Sequence, residues 1–247
     1  MKKTGKTFLA VVFWTGLWYL AAVGMGNALL LPTPFQVLRC LGGLIQTASF
    51  WQITAVSIGR ILLGVVAAVV LGVFLAALTS SSALADGLIS PLMTAVQATP
   101  VASFAILVLL WVDRDFVPVV ICALMVAPVV WGNVRTGIRE TDRQLLEMAK
   151  VYRLPPGKVL QRIYIPSVKP YFRAACSSGL GLGWKAGVAA EVLTVPKASI
   201  GRMISESKLY LLTEELFAWT LTVVILSLVL QKIMLLFLKG RGNHAEA

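Results

Sequence analysis

The sequence holds one histidine, His244, and three cysteines, Cys40, Cys122 and Cys176. The cysteines are scattered, with no CxxC pair and no Cys/His cluster, so neither a disulfide framework nor a metal site is implied. His244 sits in the tail, which leaves no base for a Ser–His or Cys–His nucleophile. Charge is scarce: 13% of the 247 residues are charged, where a soluble domain carries about 25%. Acid is scarcest, with 11 Asp and Glu against 22 Lys and Arg, a net charge of +11. The phosphate-cradling pattern G-x-x-x-x-G-K-[ST] is missing. Gly5-Lys6-Thr7 resembles its tail, but no glycine lies five residues before Gly5. There is no internal repeat and no low-complexity stretch. These absences exclude a soluble globular enzyme, a disordered tail and a disulfide-stapled secreted domain, and no cofactor is expected in this chain.

Apolar residues are what the chain has in abundance, 58% of it, with a mean hydropathy of +0.84. That composition reads as a polytopic membrane protein surrounded by lipid. In a soluble protein the basic excess would suggest nucleic acid; here the basic residues flank hydrophobic runs, and no nucleic-acid partner is expected. A crossing helix needs about 20 apolar residues. Six segments qualify: 8–31, 53–78, 88–111, 116–134, 171–195 and 217–238. The third is interrupted by Pro91 and Pro100. No small-residue cleavage site closes the first, which argues for an uncleaved span rather than a signal peptide. With both termini inside, 15 of the 22 basic residues face the cytoplasm and six face outward, leaving Lys185 within the fifth span. The positive-inside rule therefore favours cytoplasmic termini. Residues 32–50 lie outside and carry Leu38, Leu41, Leu44 and Ile45 at helical spacing; a short interfacial helix and an ordinary loop fit equally.

The longest polar stretch, 137–170, carries the most information. Leu145, Met148, Ala149 and Tyr152 recur at i, i+3, i+4, i+7, with Arg143, Glu147 and Lys150 opposite, which predicts an amphipathic helix. Thr141 or Asp142 can cap it. Pro155-Pro156 ends it, and Pro156 can open a second short helix with Val159, Leu160 and Ile163 on its apolar side. Such a helix–break–helix unit is either a rigid object that a partner pushes or a solvated loop lying on the membrane.

This segment resembles the EAA motif of permease subunits in binding-protein-dependent ABC importers. Glu147-Met148-Ala149 is followed by Pro166 at 19 residues from the glutamate, the family's spacing. Two residues depart: Met148 replaces an alanine, and Arg153 stands where a glycine is expected, with Gly157 four residues later. LLPTP at 30–34, SIGRILLG at 57–64, QATPVASFAILVLLW at 97–111 and GWKAGVAAEV at 183–192 resemble the nitrate/sulfonate/taurine-type branch, so the likeness covers nearly the whole chain. The resemblance implies one all-α transmembrane domain over 1–247, with six spans and a cytoplasmic coupling segment at about 141–166. It implies pairing with a second permease copy in the inner membrane of a prokaryote. Two ABC ATPase subunits would bind ATP and Mg below, a solute-binding protein would deliver a small solute from outside, and alternating access would move it; this chain is not itself an enzyme. Glu147, Met148, Ala149, Tyr152, Arg153, Gly157 and Pro166 map onto the coupling motif. The branch handles small anions such as nitrate, sulfonates and bicarbonate, and some vitamin precursors.

Polar groups inside the spans are the remaining candidates. A charge at bilayer depth costs about 2.5–3.5 kcal/mol on insertion scales, so Lys185 and Glu191 need a reason. They either line a pathway or make structural contacts, and at about 100° per residue they do not share a helix face. Glu191 is near the outer end, where it can reach water. Gln97, Thr99 and Ser103 surround Pro100 and either line a polar route or satisfy the backbone that proline interrupts. Rows of small residues, Ala175, Gly179, Gly183 and Gly187, and Gly64, Ala68, Gly72 and Ala76, suit close helix packing, within one subunit or at a dimer axis. A self-sufficient secondary transporter or channel would usually show inverted repeats, and a membrane-embedded enzyme would need a catalytic cluster; neither is found.

Overall fold

The computed structural model describes residues 3–239; Met1, Lys2, Arg241 and His244 lie outside them. The described residues are helical and contain no strand. In chain order they form α1 (Lys3–Met25), α2 (Pro34–Ile45), α3 (Ala48–Ser81), α4 (Ala83–Ala98), α5 (Val101–Val108), α6 (Val117–Arg139) and α7 (Arg143–Val151). Then come α8 (Pro156–Val159), a π-helical turn (Leu160–Tyr164), α9 (Ile165–Thr194), α10 (Ile200–Leu209) and α11 (Thr213–Lys239). Among them α1, α3, α6 and α11 are long and apolar enough to cross a membrane, and the bent pair α4 and α5 makes up to five.

Three helices make the core. α6 is the most enclosed of them and packs α3 on one side and α9 on the other. Glycine permits this approach. A Cβ on Gly64 would lie 2.6 Å from the Val119 carbonyl oxygen, and one on Gly187 would lie 2.6 Å from Ile61 Cγ1. Both small-residue rows therefore face neighbours inside this chain: Gly64 and Gly72 meet α6, while Gly179, Gly183 and Gly187 meet α3 and α6. α1 and α11 remain largely open to the surroundings.

Several helix boundaries differ from the sequence reading: α3 and α11 are longer at both ends, and α6 continues past 134 to Arg139. The first span, expected over 8–31, stops at Met25, because Gly26 turns left-handed (φ +63°) and Asn27 closes a turn through its own side chain to Leu29 N–H. The third segment is not one crossing. It breaks between α4 and α5 with a bend of 105°, since Pro100 offers no N–H and holds Thr99 extended before it. Pro91, by contrast, sits inside α4. The fifth begins earlier than 171, at Ile165, with Pro166 in its first turn and Pro170 accommodated within it. Rich in Gly and Ser and holding Lys185 and Glu191, it is not among the helices apolar enough to cross on that ground. Residues 34–45 do form the short helix α2, opened by a capping box between Thr33 and Gln36. Its buried side is Val37 and Leu41, packed toward α11, while Leu38 and Ile45 point outward.

Candidate functional site

The expected coupling segment is an ordered elbow. α6 ends at Arg139 and the chain reverses through Glu140 and Thr141, whose hydroxyl donates to the Gly137 carbonyl at 3.2 Å. Of the two candidate caps it is Asp142 that opens α7, its carboxylate accepting from Gln144 N–H at 2.8 Å. α7 then buries a narrow side and exposes a broad one. Ala149 is 3% exposed, whereas Val151 and Tyr152 are 78% and 72% exposed. Leu145 and Met148 share that outward side, and Glu147 is exposed beside them. The packing face expected for a partner thus loses Ala149 to the chain's own interior and gains Val151.

The end of α7 explains the missing glycine. Leu154 N–H donates to the Ala149 carbonyl at 2.9 Å and Arg153 N–H to the Lys150 carbonyl at 3.1 Å. That pair of bonds is a Schellman closure, which requires a left-handed residue at its centre. Arg153 supplies it at φ +50°. Gly157 lies instead in the short helix α8, and among the described glycines only Gly26 has positive φ. Pro155 caps α8, a π-helical turn buries Ile163, and α9 follows without a break.

At the opposite end of the bundle a second polar cluster forms. Glu191 does not reach water: it is fully buried. Its Oε2 accepts from Ser57 Oγ at 2.9 Å and from Gly201 N–H at 3.2 Å. Ser57 Oγ in turn accepts from Ile200 N–H. The carboxylate therefore sits at the N-terminus of α10, where the helix dipole favours negative charge. Arg60 pairs with Asp115 at 3.3 Å, and Asp115 also accepts from Lys197 N–H at 2.7 Å. Together these bonds pin the α9–α10 turn, which carries left-handed Val195 and Ala198, against α3 and the α5–α6 loop.

The remaining pathway candidates are dispersed over the broken pair and α9. Gln97 and Ser103 are exposed on either side of the α4–α5 break. Thr99 is partly buried and returns its hydroxyl to the Ala95 carbonyl at 2.8 Å, satisfying helix backbone. Lys185 lies on an exposed stripe of α9 with Ala174, Ser178, Leu182 and Ala189, on the other side of the helix from Glu191. It forms no ion pair among the described residues. Val96 and Val101, which flank the break, pack on the cluster containing Ala186 and Ala190, so the break and this part of α9 are neighbours. Sequence reading missed Ser57, Arg60 and Asp115 as a unit, and also Asp86, which meets Arg135 and Arg139. Their partners lie tens of residues away, beyond any local spacing signal.

Comparison with known proteins accords with this architecture. Residues 68–239 match the family model described as binding-protein-dependent transport system inner membrane component. The taurine transport system permease protein TauC of Escherichia coli is 25% identical over 90% of this chain and 82% of its own length. The bicarbonate transport system permease protein CmpB of Synechocystis is 31% identical over 66% of this chain and 58% of its own length. The nitrate import permease protein NrtB of Leptolyngbya laminosa is 25% identical over 78% of this chain and 72% of its own. The crystal structure of an amino acid ABC transporter with histidines shares the fold, with a TM-score of 0.60 at 17% identity, over 74% of this chain and 87% of that one. A match over residues 68–239, from the middle of α3 to the end of α11, means that this chain belongs to the inner-membrane components of binding-protein-dependent transport systems, the permeases of ABC transporters.

Proposed function

We propose that this chain is the permease of an importer for a small anion. It works as a pair of copies, receives solute from an extracytoplasmic binding protein, and is driven by two ATPase subunits that hold ATP and Mg. In this reading α9 completes a six-crossing unit, both termini are cytoplasmic, and the α7–α8 elbow faces the ATPases. The single observation that carries the coupling role is the outward side of α7. Leu145, Met148, Val151 and Tyr152 expose apolar surface at the end of a rigid, capped helix, although no lipid-crossing helix includes them. An apolar helix face ringed by charge fits a groove on a partner protein. Glu147 supplies a charged contact, Arg153 and Pro166 hold the geometry, and Gly157 adds to the exposed surface of α8 behind α7. Nucleotide-driven movement of that groove favours one permease state over the other, which is the differential affinity that coupling requires.

The anion reading rests on Lys185, an exposed cation on α9, the helix that packs against α5, with Gln97 and Ser103 adding polar groups at the α4–α5 break. Relatives named for taurine, aliphatic sulfonates, bicarbonate and nitrate support it. A relative named for formylaminopyrimidine keeps a neutral vitamin precursor as the second reading.

Glu147→Arg tests the coupling. Reversing the charge on an exposed helix leaves membrane insertion intact and weakens assembly with the ATPase. We expect an approximately tenfold loss of affinity in co-purification, the equivalent of about 1.4 kcal/mol. Wild-type assembly and wild-type ATPase stimulation in that variant would remove Glu147 from the contact. Solute uptake that continues without any ATPase would remove the importer reading itself.

A further inference from the structure

One end of the bundle holds an ion cluster that neither the family match nor the proposed coupling contact assigns. Asp86 lies in the first turn of α4. Its two carboxylate oxygens face two cations of α6: Oδ1 meets Arg135, and Oδ2 meets Arg139 at 3.0 Å. Ser90 donates to Oδ1 from one turn further along α4 at 2.8 Å. Arg135 is fixed from behind. Its guanidinium stands 5.0 Å from the ring of Trp131, and Trp131 Nε1 donates to Thr79 Oγ1 of α3 at 3.0 Å. Trp131, Arg135 and Arg139 repeat every four residues and so share one face of α6. The cluster is thus a chain of contacts across α3, α6 and α4, half-buried rather than freely solvated.

Two features make this tie consequential. First, α4 has little else to hold it. Among its 16 residues only Met93 is buried, against twelve on α6. At its start it is jointed to α3 by the single residue Ser82, which ends one helix and caps the next. At its far end it stops at the Pro100 break beside Gln97 and Thr99. Second, Arg139 is the last residue of α6, and α7 begins at Arg143. A displacement of the elbow is delivered directly to the Arg135–Arg139 turn on one side, as it is to α9 on the other.

The geometry points to Asp86 as the positioning residue through which movement of α7 is transmitted to α4 and hence to the α4–α5 break. The carboxylate acts as a two-pronged strut that couples α4 to the end of α6, next to the elbow. This inference rests on the coupling role proposed for α7.

The test reads α4 movement without needing the transported solute. In the complete complex with its ATPases in nanodiscs, Cys40, Cys122 and Cys176 are replaced by serine or alanine, and Gln97→Cys is introduced as a reporter. Its rate of reaction with a membrane-impermeant maleimide is measured with and without Mg-ATP and vanadate. With Asp86 intact, the rate should change at least about fivefold, the lower bound of ordinary coupling between sites. In Asp86→Asn the complex should still assemble and hydrolyse ATP, while the nucleotide-dependent change disappears. Asp86→Glu, which keeps the charge, should retain it. Arg139→Gln, on the more exposed prong, should reduce it partly and serves if Asp86→Asn does not fold. A full nucleotide response in Asp86→Asn, or equal loss in Asp86→Glu, overturns the strut. Absence of any nucleotide response with Asp86 intact overturns the coupling reading beneath it, so the two failures are distinguishable.

Discussion

At the scale of single residues, Arg153 shows that a turn which favours glycine can be closed by a different side chain. An L-residue in the left-handed region costs about 1–2 kcal/mol relative to the right-handed one, and glycine avoids this. The Schellman bonds around Arg153 are complete, so the turn is made in spite of that cost. Arg153→Gly is therefore expected to stabilise the elbow, by about 1 kcal/mol less the added freedom glycine brings to the unfolded chain. Arg153→Val should cost more than wild type, because branching at Cβ is worst at positive φ. Limited proteolysis of the 141–166 region orders the three variants: glycine slowest, valine fastest. The sequence alone names the position but leaves open whether Gly157 takes over its task, because a backbone dihedral is invisible in residue identity. Glu191 was legible as an anomaly and illegible as a cap for the same reason: its partners Ser57 and Gly201 are brought to it by packing.

At the scale of elements, apolar run length located every long helix, and hydropathy failed where local backbone chemistry decides. Residues 26–31 are almost as apolar as the helix before them, yet Gly26 and Asn27 end it. The third segment looks continuous in hydropathy, yet proline at 100 bends it and proline at 91 does not. What distinguishes the two is whether the freed backbone is satisfied within the helix, a property of the surroundings. The small-residue rows were legible as packing faces; which neighbour they face was not. That neighbour yields a paired prediction on α3. Gly59 has open space where a Cβ would go, so Gly59→Ala should gain stability from helix propensity, up to about 1 kcal/mol. A Cβ on Gly64 would fall 2.6 Å from the Val119 carbonyl oxygen and 3.2 Å from its Cα, main-chain atoms that cannot swing away. Gly64→Ala should therefore cost about 1–3 kcal/mol by overpacking. Thermal unfolding in detergent compares the two; equal midpoints would mean that α3 and α6 do not meet as closely as described.

At the scale of the whole molecule, the two polar ends must face opposite sides of the membrane, because the apolar helices connecting them run the length of the bundle. The elbow and the Asp86 cluster belong to one end; the Glu191 and Arg60 clusters, α10 and α2 belong to the other. Cys40 on α2 reports which end is outside. It is partly exposed, whereas Cys122 and Cys176 are buried, so it is the thiol that a bulky impermeant reagent reaches first. With cytoplasmic termini, that reagent should label intact right-side-out vesicles at Cys40 and inverted vesicles hardly at all. The rate carries further information. Burial pushes the Cys40 thiol up, and the carboxylates of Glu215 and Glu214 at the start of α11 push it the same way. The thiolate is the reacting species, so labelling should be slow at neutral pH and quicken toward alkaline pH, later than for a free thiol. Glu214→Gln with Glu215→Gln removes the two negative neighbours, lowers the thiol's pKa and should speed labelling at neutral pH. A rate indifferent to both carboxylates would detach α2 from α11, and labelling confined to inverted vesicles would turn the molecule over, placing the elbow outside, away from any ATP.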